Sequence, residues 1–360
     1  MVDACGAIDD PAYTLYSLDA RENEVVFVRT RDDVDLAAAP FYYHAQYRHA
    51  RGALVTSLPS MIEAARDRGD RFEHAVFIYH CSRAGSTLLS RMFGRLDECF
   101  SLSEPDVYTR LLSDGVDNPV LETLLEAATR LYFHPSRELN PTHLVVKLRS
   151  FCVQLAPAIH RALPSSIPLF LYRPVEEVVA SGMRVFRYRG STMWWCDRLH
   201  AARITRPLLA AVLATRRGIG ERLLPAAARF SNAELAGMGA AGLLAIAWVS
   251  AMECCATVAG AGMDIRPIRY RDLIGPDRLT TMGSLLEHCG LPAAAAGTMA
   301  VALARDSQAG SIVARTRQEK YELTERDRAS IRLVLSRSDV VDGEGFLPGT
   351  ALSGSGSTTR

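Results

Sequence analysis

The residues best suited to chemistry stand in one short run, Cys81-Ser82-Arg83-Ala84-Gly85-Ser86-Thr87. The apolar stretch Ala75-Val76-Phe77-Ile78-Tyr79 leads into it and reads as a buried strand. From Ser86 to Leu96, leucines, arginines and a methionine recur at helical spacing. A strand, a tight loop with a glycine and a helix start together make a cradle for an anion. The N–H groups of the first helical turn have no partner within the helix, and the helix dipole puts its positive end at the same spot. Arg83 adds a cation there, and Ser86 and Thr87 add hydroxyls. The plainer alternative is a strand–turn–helix capped by Ser86 or Thr87. The coincidence of loop, cation and hydroxyls favours phosphate binding.

The nucleoside-triphosphate loop pattern is G-x-x-x-x-G-K-[ST]. Aligned on Gly85, this chain has His80 at the first glycine and Ser86 at the lysine, so the Lys that would reach the β/γ-phosphates is missing. A kinase or NTPase is therefore disfavoured. Ser82-Arg83-Ala84-Gly85-Ser86-Thr87-Leu88-Leu89 resembles instead the 5′-phosphosulfate loop of sulfotransferases that use 3′-phosphoadenosine-5′-phosphosulfate (PAPS), with Ala84 the unusual position. A second motif resembles that family's 3′-phosphate site. The strand-like Ile167-Pro168-Leu169-Phe170-Leu171-Tyr172 runs into Arg173-Pro174, and Ser181 follows Arg173 by eight residues. The residue usual between Arg and Pro is absent. Arg173 at a strand end suits a forked grip on phosphate, and Pro174 opens a helix where its missing N–H is harmless. A third stretch, Ile268-Arg269-Tyr270-Arg271-Asp272-Leu273-Ile274 with Cys289-Gly290-Leu291, is similar to the family's later strand and helix, mainly as a structural signature. Gly310, Ser311 and Arg315 resemble its late basic loop.

The resemblance implies an α/β, P-loop-like three-layer fold with a central mainly parallel sheet flanked by helices. It implies a cytoplasmic sulfotransferase moving SO₃ from PAPS to a hydroxyl of a small-molecule or glycolipid acceptor, releasing 3′-phosphoadenosine-5′-phosphate (PAP). Ser82, Arg83, Ala84, Gly85, Ser86 and Thr87 would hold the 5′-phosphosulfate, and Arg173 and Ser181 the 3′-phosphate, with Gly310, Ser311 and Arg315 closing over it. Transfer needs a base for the acceptor proton and donors for charge on the moving group. Glu104, in Leu102-Ser103-Glu104-Pro105-Asp106, matches the Glu that many bacterial and sugar-directed members place after the second strand. Its other reading is a cap for a helix starting at Pro105, and Asp106 is a lesser candidate base. Lys147 ends the apolar run His143-Leu144-Val145-Val146 and would assist, or would simply snorkel from a strand end. Arg149 stands where the animal cytosolic branch has a catalytic His, and an arginine cannot accept a proton. The remaining alternative is a protein of the same fold that binds nucleotide without activity.

The elements that must position these residues follow from pattern. The 360 residues carry a net charge of +1, which gives no footprint for nucleic acid. Residues 1–72 read as an N-terminal extension packed on the core, with a strand-like run Glu24–Val28 and a helix at Leu58–Arg68. Residues 73–345 read as the α/β domain, with an Ala- and Leu-rich helical insertion at about 201–262, and residues 346–360 as a flexible tail. Ala241–Met263 is apolar, but Glu253, Ser250 and several glycines favour a buried helix over a membrane span. The first residues lack the layout of a secretion signal. The eight cysteines form no C-x-x-C and the histidines no paired ligand motif, so reduced thiols and no metal are expected. Tyr188 and Met193-Trp194-Trp195 form an aromatic cluster suited to an acceptor pocket or to core packing.

Overall fold

The computed structural model describes residues 10, 12–68, 72–133, 141–186, 206–307, 321–338, 342–345 and 347–350. It divides into two compact units, Met1–Tyr79 with Thr87–Pro168, and His80–Ser86 with Leu169–Arg360.

In the first unit, β1 (Tyr13–Asp19), β2 (Glu24–Thr30) and β3 (Ala50–Thr56) form an antiparallel sheet in that order. The sequence had pointed to the middle strand alone. Helix α1 (Tyr42–His49) precedes β3, and α2 (Leu58–Arg68) falls where the pattern placed it. Gln46 of α1 is fully buried and donates to Thr14 Oγ1 at 2.8 Å and to the Leu15 carbonyl at 3.0 Å, which fixes α1 to β1. Beyond residue 72 the apolar runs become strands buried on both faces: β4 (His74–His80), then β5 (Cys99–Ser103) after helix α3 (Ser86–Phe93). Helices α4 (Val107–Asp114) and α5 (Leu121–Tyr132) carry the chain to β6 (His143–Lys147), and α6 (Ala156–Ala162) follows. Helical crossovers of this kind are what parallel pairing requires. The register is parallel, with Ile78 and Ser103 both opposite Lys147, so β5 and β6 finish level and β4 runs two residues further, to His80. The T-shaped pair Tyr42–Tyr132, 5.8 Å between centroids, seats α1 on α5.

In the second unit, β7 (Ile167–Tyr172) pairs in parallel with β8 (Arg266–Arg269). The sheet that holds these parallel strands has the order β5-β6-β4-β7-β8 and helices flank it, so the chain is α/β. Between β7 and β8 come α7 (Val175–Phe186), α8 (Arg206–Thr215), α9 (Arg217–Leu223) and the long α10 (Asn232–Gly260), the helical stretch read from composition. Among the described residues α10 is the one helix long and apolar enough to cross a membrane, and 83% of its apolar window is buried inside the protein, as in a core helix. Gly182 of α7 sits where a Cβ would lie 2.8 Å from Leu244, so glycine lets α7 and α10 close up. Helices α11 (Tyr270–Ile274) and α12 (Arg278–His288) follow β8, and α13 (Glu325–Leu335) packs on α10.

The supposed tail is held at its start. Gly343 accepts a hydrogen bond from the Val175 N–H, Leu347 and Thr350 are buried, and the Tyr172 and Thr350 hydroxyls meet at 2.7 Å. Residues 351–360 lie outside the described residues. Ser231 and Glu234 form a capping box at the start of α10, and Arg337 pairs with the same glutamate. The Arg337 guanidinium and the Ser231 N–H and hydroxyl hold the Glu234 carboxyl down at about 2. The folded value lies below the unfolded one, so this stabilisation is present above the ordinary carboxylate range and is lost as pH falls through about 2. Glu234→Gln should therefore lower the melting temperature at pH 7, and thermal melts should show the gap to wild type closing as pH approaches 2. A gap independent of pH would contradict this.

Candidate functional site

The loop between β4 and α3 has unusual backbone. Ser82 (φ 69°), Arg83 (φ 45°) and Gly85 (φ 86°) all take the left-handed region, where non-glycine residues are uncommon. Consecutive turns of this kind aim backbone N–H groups inward and build anion-binding concavities. The conformation is fixed from several sides. Ser82 N–H donates to His80 Nδ1 at 3.0 Å, and Cys81 N–H to the Leu171 carbonyl at 3.1 Å. Ala84 is completely buried and anchors the loop, while Ser82 and Arg83 stay partly exposed. Burial pushes the Cys81 thiol up to about 12, so the loop offers no thiolate nucleophile at neutral pH.

Arg83 Nε donates to the Ser181 hydroxyl at 3.2 Å, which joins the loop to the middle of α7. The two motifs singled out in the sequence, 98 residues apart, thus meet at a hydrogen bond. Arg173 leaves the end of β7 as expected. Its guanidinium lies 4.8 Å from the centroid of the Tyr270 ring and pairs with Glu177 one turn along α7. Its carbonyl accepts from Trp248 Nε1 at 2.8 Å. The Tyr270 ring also touches the loop: a Cβ on Gly85 would lie 2.4 Å from two of its ring carbons. Arg83, Ser181, Gly85, Tyr270 and Arg173 therefore form one connected set, with a partly exposed cation at Arg173. Ser86 is buried at the start of α3. Thr87, also buried, belongs to the other unit. Gly310, Ser311, Arg315, Tyr188, Met193, Trp194 and Trp195 lie outside the described residues.

The first unit assembles a second set. Lys147 at the end of β6 is 2% exposed, and its ammonium bonds Glu104 Oε1. The Lys147 carbonyl accepts from the Glu104 N–H at 2.7 Å, so backbone and side chain grip the same residue. Lys147 is thus a buried, paired charge rather than a snorkelling one. Glu104 itself sits at φ 58°. Its reading as a helix cap is corrected: α4 begins at Val107, Asp106 holds the N-cap position without a side-chain cap bond, and the Glu104 carboxylate goes to Lys147. Arg149 Nε lies 3.6 Å from Glu104 Oε2, and its Nη2 lies 3.0 Å from Asp106 Oδ1. The Arg149 guanidinium lies 4.4 Å from the centroid of the Tyr43 ring, and the Lys147 ammonium 5.7 Å from that of Phe41. Burial raises the Tyr43 hydroxyl above its ordinary value against the pull of Arg149, which keeps it protonated.

Sequence reasoning missed Tyr270, Trp248, Phe41 and Tyr43. Tyr270 carried one usable signal, its place immediately after β8 in a motif otherwise read as structural. The other three sit in helical or loop segments whose patterns mark only burial. No protein-family model matches the chain, and no curated protein matches it.

Gly85→Ala should cost about 1–3 kcal/mol, because both the backbone region and the Tyr270 ring oppose a methyl group. Urea unfolding of Gly85→Ala and of Gly85→Ala/Tyr270→Ala separates the two terms. The double variant should recover the steric part alone, and a single variant as stable as wild type would refute the account.

Proposed function

We propose that the chain is a PAPS-dependent sulfotransferase with a P-loop-like fold. The observation that carries the reading is the loop of left-handed residues at Ser82, Arg83 and Gly85, between a strand end and a helix start, hydrogen-bonded through Arg83 to Ser181. A mononucleotide with phosphate groups at both ends of its ribose suits a set in which one cation sits on the loop and a second leaves the neighbouring strand end. Ser82, Arg83, Gly85 and Ser86, with Thr87, would hold the 5′-phosphosulfate. Arg173 and Ser181 would hold the 3′-phosphate. The absence of a loop lysine at Ser86 weighs against triphosphate chemistry.

In the reaction so assigned, the acceptor oxygen forms a bond to sulfur as the sulfur–oxygen bond to the 5′-phosphate breaks. The acceptor proton passes to Glu104, and PAP leaves. Lys147 bonds one carboxylate oxygen of Glu104, and the other retains acceptor capacity for the proton. A hydroxyl of a small molecule or a glycolipid is the acceptor class, and the cytoplasm the expected location.

Titration calorimetry with PAP and with Mg-ATP tests the donor class. Micromolar binding of PAP and none of Mg-ATP is the expected result, and the reverse would make the chain a kinase or NTPase. Arg173→Ala should weaken PAPS by about 10- to 100-fold, the loss of a charge-assisted contact. It should leave adenosine 5′-phosphosulfate, which has no 3′-phosphate, nearly unchanged, and equal losses on both donors would remove Arg173 from the 3′-site. Glu104→Gln should abolish release of PAP from PAPS in the presence of acceptor and leave PAP affinity intact. Full turnover in that variant would exclude Glu104 as the base.

A further inference from the structure

Two cations hold Glu104 unequally, and the inequality has a visible cause. Lys147 bonds Oε1 directly, whereas Arg149 Nε stays 3.6 Å from Oε2, beyond hydrogen-bond reach. The guanidinium is drawn elsewhere. Its Nη2 lies 3.0 Å from Asp106 Oδ1, and its flat face lies over Tyr43. A planar, rigid cation cannot make its closest approach to two carboxylates and an aromatic ring in every orientation at once. Here its closest ion pair is with Asp106.

We propose that Asp106 is a positioning residue: by holding Arg149 against itself and Tyr43, it keeps the guanidinium off Oε2 of Glu104 and leaves that oxygen the one able to take a proton. Among the described residues, the charged groups that the ion pairs place around the carboxylate are Lys147, Arg149 and Asp106. Lys147 and Arg149 come from the end of β6 and just beyond it, and Asp106 from two residues along the chain. Tyr43 and Cys152 also lie within electrostatic range of Glu104, and Tyr16, Tyr43 and Tyr132 within range of Asp106. Burial raises all four of these groups, the Cys152 thiol to about 12, so they stay neutral. Two carboxylates thus face two cations among these described residues, and Arg149 lies between Glu104 and Asp106. For turnover the inference rests on Glu104 being the base proposed above. The arrangement of charges does not.

The test reads the proton affinity of Glu104 in the full-length chain, by carbon NMR of ¹³Cδ-labelled glutamate, with Glu104→Gln to assign the resonance. Asp106→Asn frees Arg149 to close on Oε2 and should lower the proton affinity about tenfold. Asp106→Glu, which keeps the anchor, should leave it within about twofold of wild type. Loss of the Asp106 charge would also lower proton affinity by direct relief of repulsion, so the cycle is completed in an Arg149→Gln background. There the effect of Asp106→Asn should fall to less than half. An equal shift in both backgrounds, or none in either, overturns the proposal. PAP calorimetry on the same samples keeps the two ideas apart. A protein that binds no PAP defeats the sulfotransferase reading, while the titration cycle still decides the role of Asp106.

Discussion

The Lys147 side chain, 2% exposed, demands a counter-charge, and much of the first unit is arranged around supplying one. Lys147 ends β6 level with Ser103 of β5, so the residue after Ser103 is the nearest source of a carboxylate. That residue is Glu104, and it reaches Lys147 only by turning into left-handed backbone, at a cost of about 1–3 kcal/mol. The cost is tolerable because leaving such a charge unpartnered is worth about 3–5 kcal/mol against folding. The same place recruits the N-terminal segment. Phe41 lies over the ammonium, and the Ser103 hydroxyl donates to the Pro40 carbonyl at 2.7 Å. Helix α1 and the antiparallel sheet are thereby tied to the strand ends that carry the charge pair.

The second unit solves a different problem, holding a loop in conformations that side chains resist. Its answer is aromatic. Tyr270 fills the space that any residue larger than glycine would need at position 85, and its other contact is the Arg173 guanidinium. Trp248, fully buried in α10, fixes the Arg173 carbonyl. The cation thus has its main chain held by one ring and its side chain by another.

The loop at residues 82–87, the strand-end cations Arg173 and Lys147 and the position of Glu104 were legible in the sequence because each combines an apolar strand with an abrupt polar residue at its end. That pattern has few physical explanations. β1 and β3 were not legible: seven-residue strands such as Tyr13–Asp19 mix polar and apolar residues on a sheet with exposed edges, and the signal is weak. Asp106 and Arg149 were visible as residues, but their pairing depends on where the guanidinium rests, which no spacing encodes. Tyr270 stood in a motif read from the sequence, but its contact with Gly85 was equally hidden, since that glycine lies far back in the chain.

The closing hydrogen bond between Tyr172 and Thr350 spans 178 residues. β7 therefore waits for nearly half the chain before the Tyr172 hydroxyl finds its mate, and Gly343 reaches Val175 after a comparable delay. Contacts of such long sequence separation form late and slowly. During translation the start of α7, with Arg173 beside it, lacks these partners until residues 343–350 have emerged.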